Sequence, residues 1–135
     1  MAITYTSGAG TQRRDKVRDG EYNIAVVGAE EKTSKSGNPM IELKIEVLGP
    51  IGGEQFEENT GPIIWDNLVF IDSCAWKIDQ FRAACGEDVT EGEQVSIEAD
   101  DLIGAALKGH IVTGQSNSGK ERNEIGAYLS SNEPF

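Results

Sequence analysis

Ile41-Glu42-Leu43-Lys44-Ile45-Glu46-Val47 alternates apolar and polar side chains without a break. Successive residues of an extended chain point to opposite faces, so this period of two predicts a strand with one buried and one wet face. The strand extends back to Met40 and forward to Leu48, and Gly49-Pro50 with Gly52-Gly53 ends it. Immediately before it, Ser34-Lys35-Ser36-Gly37-Asn38 has the composition of a hairpin turn. Before that turn, Tyr22 to Glu31 contains Ile24, Ala25, Val26 and Val27, a short apolar run that suits a strand covered on both faces.

Downstream, Ile63 to Ile71 is apolar enough for a third strand. A different period follows. Cys74, Ile78, Phe81 and Cys85 recur at intervals of four, three and four, which places them on one helical face. Asp72 or Ser73 is positioned to cap that helix and Gly86 to stop it. Trp76 and Phe81 are expected in the core with the helix, and Tyr22 packs with them. The two cysteines stand about 16 Å apart along the axis, too far for a disulfide. After a loop or short strand at Val95 to Glu98, Ala106 to Thr113 and Arg122 to Leu129 read as the last two strands. The expected fold is mainly β, a five-stranded OB-fold-like barrel with one helix between strands 3 and 4. Residues 1–20 form a polar, aperiodic arm expected to be mobile, residues 21–129 the domain, and residues 130–135 a tail.

The chain has 135 residues, 38% hydrophobic and 26% charged, which is one domain's worth of core. Its net charge is -11 and its pI about 4.4. That charge argues against a uniformly basic nucleic-acid module and against binding to anionic membranes. Its distribution is uneven. Met1 to Lys44 carries a balance of +1, Ile45 to Leu107 a balance of -12, and Lys108 to Phe135 none. A domain that folds its first third against its last fifth is therefore electrically two-sided. No apolar run is long enough to cross a membrane as a helix, and the N-terminus has no signal-peptide pattern. With two cysteines, the expected home is the reducing cytoplasm.

Catalytic chemistry finds no foothold. His110 is the one histidine and lacks a nucleophile partner in any known spacing. Gly114 to Lys120 fits the first seven positions of a phosphate-binding loop, but Glu121 replaces the hydroxyl residue that would hold Mg²⁺. It reads as a hairpin tip. Gly8-Ala9-Gly10 lacks both the third glycine and the preceding strand of a dinucleotide site. Glu57-Glu58 and Asp100-Asp101 point apart on extended chain and form no cation loop. The expectation is a binding protein without enzymatic activity, cofactor or metal.

The order Tyr22–Ala29, Ser34-Lys35-Ser36-Gly37-Asn38, Met40–Leu48, Trp76-Lys77, Phe81-Arg82-Ala83-Ala84-Cys85-Gly86, Leu102-Ile103-Gly104 and Gly119-Lys120-Glu121-Arg122-Asn123-Glu124-Ile125 carries a resemblance. Across roughly Gly20 to Leu129, the chain resembles an uncharacterised family of small, single-stranded-DNA-binding-like bacteriophage proteins. The ending Glu133-Pro134-Phe135 separately resembles the tips of bacterial single-stranded-DNA-binding proteins, although only Glu133 is acidic. The resemblances imply a protein that coats single strands in replication or recombination. They also imply that Glu133, Pro134 and Phe135 recruit replication or recombination proteins, with homo-oligomerisation left open.

Single-strand binding needs cations for phosphates and aromatic faces for bases. Lys35 and Lys120 sit on the two expected hairpin tips, which flank one groove in an OB-fold. Lys44, Arg122 and Tyr128 fall at strand positions expected to face solvent, and Trp65 opens the third strand. Trp65 and Tyr128 are the stacking candidates. The rival reading is an acidic protein-interaction module, a phage accessory factor that binds a host or phage enzyme. A structural virion component is a third.

Overall fold

The computed structural model describes residues 2–3, 13–115 and 119–129. Five strands run in the expected order: β1 (Gly20–Thr33), β2 (Pro39–Pro50), β3 (Ile63–Val69), β4 (Ala106–Gln115) and β5 (Glu121–Leu129). Helix α1 (Ala75–Ala84) lies between β3 and β4, and a four-residue helix α2 (Ala99–Leu102), not anticipated from sequence, precedes β4. All pairings are antiparallel, and the sheet order is β3-β2-β1-β4-β5.

The alternating stretch behaves as its period requires. Ile41, Leu43, Ile45 and Val47 are at most 2% exposed, and they meet Ile24 and Val26 of β1 and Ile64 and Leu68 of β3 in one core. The polar face is wet except at Glu46, which is buried on the outer side of the sheet. At the end of β2 the chain doubles back tightly. A Cβ at Gly61 would stand 1.7 Å from the Val47 carbonyl oxygen, so only glycine admits the turn that lets Val47 N–H reach the Pro62 carbonyl at 3.0 Å.

Two local expectations are corrected. β1 is covered on one face only: Ile24 and Val26 are buried, whereas alternation points Val27 outward, 42% exposed, at a register shift between Val26 and Gly28. Neither Asp72 nor Ser73 caps α1 through its side chain; a single 3₁₀ turn, Asp72–Cys74, leads into the helix instead. Gly86, at φ 93°, follows the C-cap Cys85 as expected. Ile78 and Phe81 are buried, Cys74 and Cys85 half-buried and free.

The strand pairing does not close a barrel. β3 and β5, the two edges, are linked by side chains instead. At one end Tyr128 of β5 donates its hydroxyl to Asp66 of β3, and α1 packs beneath, with the Phe81 and Tyr128 rings 5.1 Å apart at 83°. At the other end residues 13–19, from the second half of the expected arm, lie across the seam as a strap. Arg13 reaches Glu46 and the Gly61 carbonyl at 2.9 and 3.0 Å, and Arg14 N–H donates to the Thr60 carbonyl at 2.8 Å. Asn123 of β5 accepts from Val17 N–H at 2.7 Å and donates to its carbonyl at 2.9 Å, pairing as a strand backbone would.

Candidate functional site

The register of β1, β2 and β3 lays their outer-face residues in rows. Gly28, Lys44 and Trp65 form one row, Glu30, Glu42 and Asn67 the next, and Lys32, Met40 and Val69 the third. Trp65 is 60% exposed, and the Lys44 ammonium stands 5.8 Å from its ring centroid, at the outer limit of a cation–π contact. Beside them Gly28 leaves the stem of Lys44 unobstructed, since a Cβ there would press on the Lys44 Cβ at 3.3 Å. In the third row, Lys32 is bound to Glu42 at 2.9 Å and lies 4.0 Å from Glu30. The hydrogen bond that Lys32 donates to the Glu42 carboxylate raises the lysine's pKa. Lys44 therefore carries this face's available positive charge, having no ion-pair partner among the described residues.

The two hairpins carry their lysines as expected. The β1–β2 turn is held by Gly37 N–H on the Ser34 carbonyl (2.9 Å) and Asn38 N–H on the Ser34 hydroxyl (3.0 Å), which leaves Lys35 exposed. Lys120 is exposed just before β5. Arg122 is largely exposed, 3.2 Å from Glu124.

Between the two sheet edges lies a cleft of about 720 Å³, framed by β3, α1, β5 and Asp15 of the strap. Trp65 and Arg122 stand on its opposite walls, with Lys77 and Cys74 at its α1 side. A neighbouring depression of about 600 Å³ brings Lys120 and Arg122 together with Lys16. The structure thus joins Trp65 with Lys44 and Arg122, and Arg122 with Lys120. Lys35 lines neither hollow.

Tyr128 does not face solvent. It is 3% exposed, its hydroxyl is bonded to Asp66, and Lys77 holds the other Asp66 oxygen at 2.6 Å. Burial, then the Asp66 charge, pushes its pKa far up. The cause of the misplacement is an irregularity in the β4–β5 ladder between His110 and Ile111, which adds a residue to β5 and reverses the phase of alternation. Trp76 is the opposite case: expected in the core, it is 65% exposed on α1. It lies off the Cys74–Ile78–Phe81–Cys85 face, so the helical period itself points it outward.

The sequence reading did not find the strap as part of the site. Arg13, Arg14, Lys16 and Asn123 carry no periodic signal; their contacts join residues far apart in the chain. Arg14 lies over the Phe56 ring at 4.2 Å, and Lys16 pairs with Glu121. The cysteines show no reactive setting: burial and Glu87 push the Cys85 thiol up to about 11. Among the described residues no cluster of three or more His, Cys, Asp or Glu is arranged to hold a metal, and no helix is long and apolar enough to cross a membrane. Glu133, Pro134 and Phe135 lie outside the described residues.

Fold and site together define a small, mainly-β domain with a tryptophan-bearing outer face and a cleft along its open seam. The chain belongs to the family described as Protein of unknown function (DUF669), whose model matches residues 3–134. No curated protein matches the chain.

Proposed function

We propose that the protein binds single-stranded DNA, using the Trp65–Lys44 row together with the hairpin cations Lys35, Lys120 and Arg122. The observation that carries this reading is the exposed Trp65 ring beside an ammonium without a carboxylate partner. A large indole held on a rigid strand offers a base a stacking surface, and the lysine next to it offers a phosphate a charge. The framework suits the role. Five strands in the order β3-β2-β1-β4-β5, with a helix between β3 and β4, support reading the open sheet as an OB-type framework whose edges approach through Tyr128, Asp66 and the strap. In this reading the protein is a phage-encoded, non-enzymatic coat for single strands during replication or recombination in the host cytoplasm. Its Glu133-Pro134-Phe135 ending recruits a protein partner.

The net charge of -11 limits affinity, and counterion release where the lysines and Arg122 meet phosphates makes binding sensitive to salt. Fluorescence anisotropy with a labelled oligothymidine at two salt concentrations tests the reading. Trp65→Ala is expected to weaken binding about 5- to 150-fold, the equivalent of one stacked base. Replacing Lys35, Lys120 and Arg122 together by Ala is expected to reduce the slope of log affinity against log salt by about 2. No binding by the folded protein at low salt would overturn the reading.

A further inference from the structure

A third hollow lies at the base of the β1–β2 hairpin, beside the Lys32–Met40 row, and its chemistry differs from that of the Trp65–Lys44 row. It has a volume of about 560 Å³ and runs between the end of β1, the start of β2 and the loop that leads to α2. Its apolar members include Met40, Phe70, Val95 and Ile97. Phe70 and Ile97 are half-buried against the core, and Phe70 is tied to β2 by its N–H on the Pro39 carbonyl at 2.9 Å. Val95 is 40% exposed at the rim. The floor is therefore a fixed part of the domain.

The chain beside it is acidic: Glu93 and Glu98 flank the lining residues Val95, Ser96 and Ile97 in sequence, within a stretch from Glu87 to Asp101 that has seven carboxylates and no lysine or arginine. Among the described residues, only Glu87 of these meets a cation, Arg82 at 3.7 Å. Glu31 lines the groove directly, and the one cation in its lining, Lys32, is held by Glu42 and Glu30.

We infer that this groove docks an extended basic segment of another protein, with lysines or arginines around one apolar side chain. The apolar floor takes the anchor, and Glu31 in the lining, with Glu93 and Glu98 beside Val95–Ile97 in the chain, takes the flanking cations. The same charge excludes the other occupants. A nucleic-acid backbone is repelled, and a second copy of this chain would set one acidic stretch against another. The inference is independent of the DNA reading, because none of its residues belongs to the Trp65–Lys44 row or the hairpin cations.

The test uses the full chain and a fluorescein-labelled hexapeptide of five lysines and one phenylalanine, with alanine replacing the phenylalanine as control. The phenylalanine peptide is expected to bind about tenfold more tightly than its control. Val95→Asp is expected to weaken it about tenfold, since the variant loses rim apolar surface even as it gains a negative charge. A purely electrostatic association would bind this variant equally or more tightly, and that result would overturn the inference. Glu91→Lys with Glu93→Lys, at exposed loop positions, is expected to weaken the peptide at least fivefold and serves if Val95→Asp does not fold. Amide shifts on peptide addition should centre on Lys32, Met40, Phe70 and Val95–Ile97. Shifts centred on any other part of the surface would also overturn it. Neither variant removes a residue of the proposed DNA site, and Glu91→Lys with Glu93→Lys, which makes the chain less acidic, should not weaken oligothymidine binding.

Discussion

The two ends of the β3–β5 seam perform one task with different chemistry. At the α1 end, the Tyr128 hydroxyl and the Lys77 ammonium share the two oxygens of Asp66, Gln80 accepts from the Tyr128 N–H at 2.8 Å, and Phe81 meets the Tyr128 ring edge-on. At the strap end, the joints are the Asn123–Val17 pair, Arg13 on Glu46 and an exposed ion pair between Lys16 and Glu121. Exposed pairs contribute about 0–1 kcal/mol each, whereas burying an aromatic side chain contributes several. The α1 end therefore fixes the fold, and the strap end sets the rim of the cleft. Of the proposed DNA-binding residues, Lys120 and Arg122 lie on the strap side with Lys16, whereas Trp65 directly precedes Asp66 on β3.

The sharpest way to break this comparison is at Phe81. Phe81→Ala should destabilise the domain by about 3–5 kcal/mol in urea unfolding, because Phe81 is 1% exposed and its cavity lies between α1 and β5. A loss under about 1 kcal/mol would show that α1 is not the principal closure.

Tyr128→Phe isolates the polar part of the same end. It removes a hydroxyl bonded to a carboxylate and should cost about 1.5–3 kcal/mol near neutral pH. The cost should also depend on pH in a fixed direction. The folded state holds the Tyr128 proton far more strongly than the unfolded chain, whose tyrosines titrate near about 10. Deprotonation thus favours the unfolded wild type above about pH 10 and has no counterpart in the phenylalanine variant. The stability gap between the two should be constant below about pH 9 and narrow as pH rises beyond about 10. A gap that widens there would reverse the assignment of the proton.

These residues also show what was legible in the sequence. The β2 core, Ile41 to Val47, was readable because strand alternation is a local property and nothing interrupts it. Ile78 and Phe81 were readable for the same reason at helical spacing. Tyr128 was not, because its inward phase depends on an extra residue accommodated against β4, a fact of pairing rather than of β5 alone. Trp76 was misassigned by residue type against its own helical period. Trp65, Lys44 and Arg122 were picked out individually, but the cleft that relates Trp65 to Arg122 depends on how two distant strands approach. The strap was invisible: Val17 and Asn123 are 106 positions apart, and neither carries a pattern that foretells the other.

The smallest effects belong to the strap, and within it the comparison can be repeated at finer scale. Asn123 is 9% exposed and satisfies both backbone groups of Val17, whose side chain packs against the core. Asn123→Ala leaves a donor and an acceptor partly buried without partners, so it should cost about 1–2 kcal/mol. Lys16 and Glu121 are each roughly half exposed and screened by salt, so Lys16→Ala should change stability by less than about 0.5 kcal/mol. Hydrogen exchange at the Val17 amide separates the two roles. Asn123→Ala should speed exchange there by at least tenfold, while Lys16→Ala leaves it nearly unchanged. Equal acceleration by both would mean that the exposed ion pair, and not the amide pairing, holds the strap to β5.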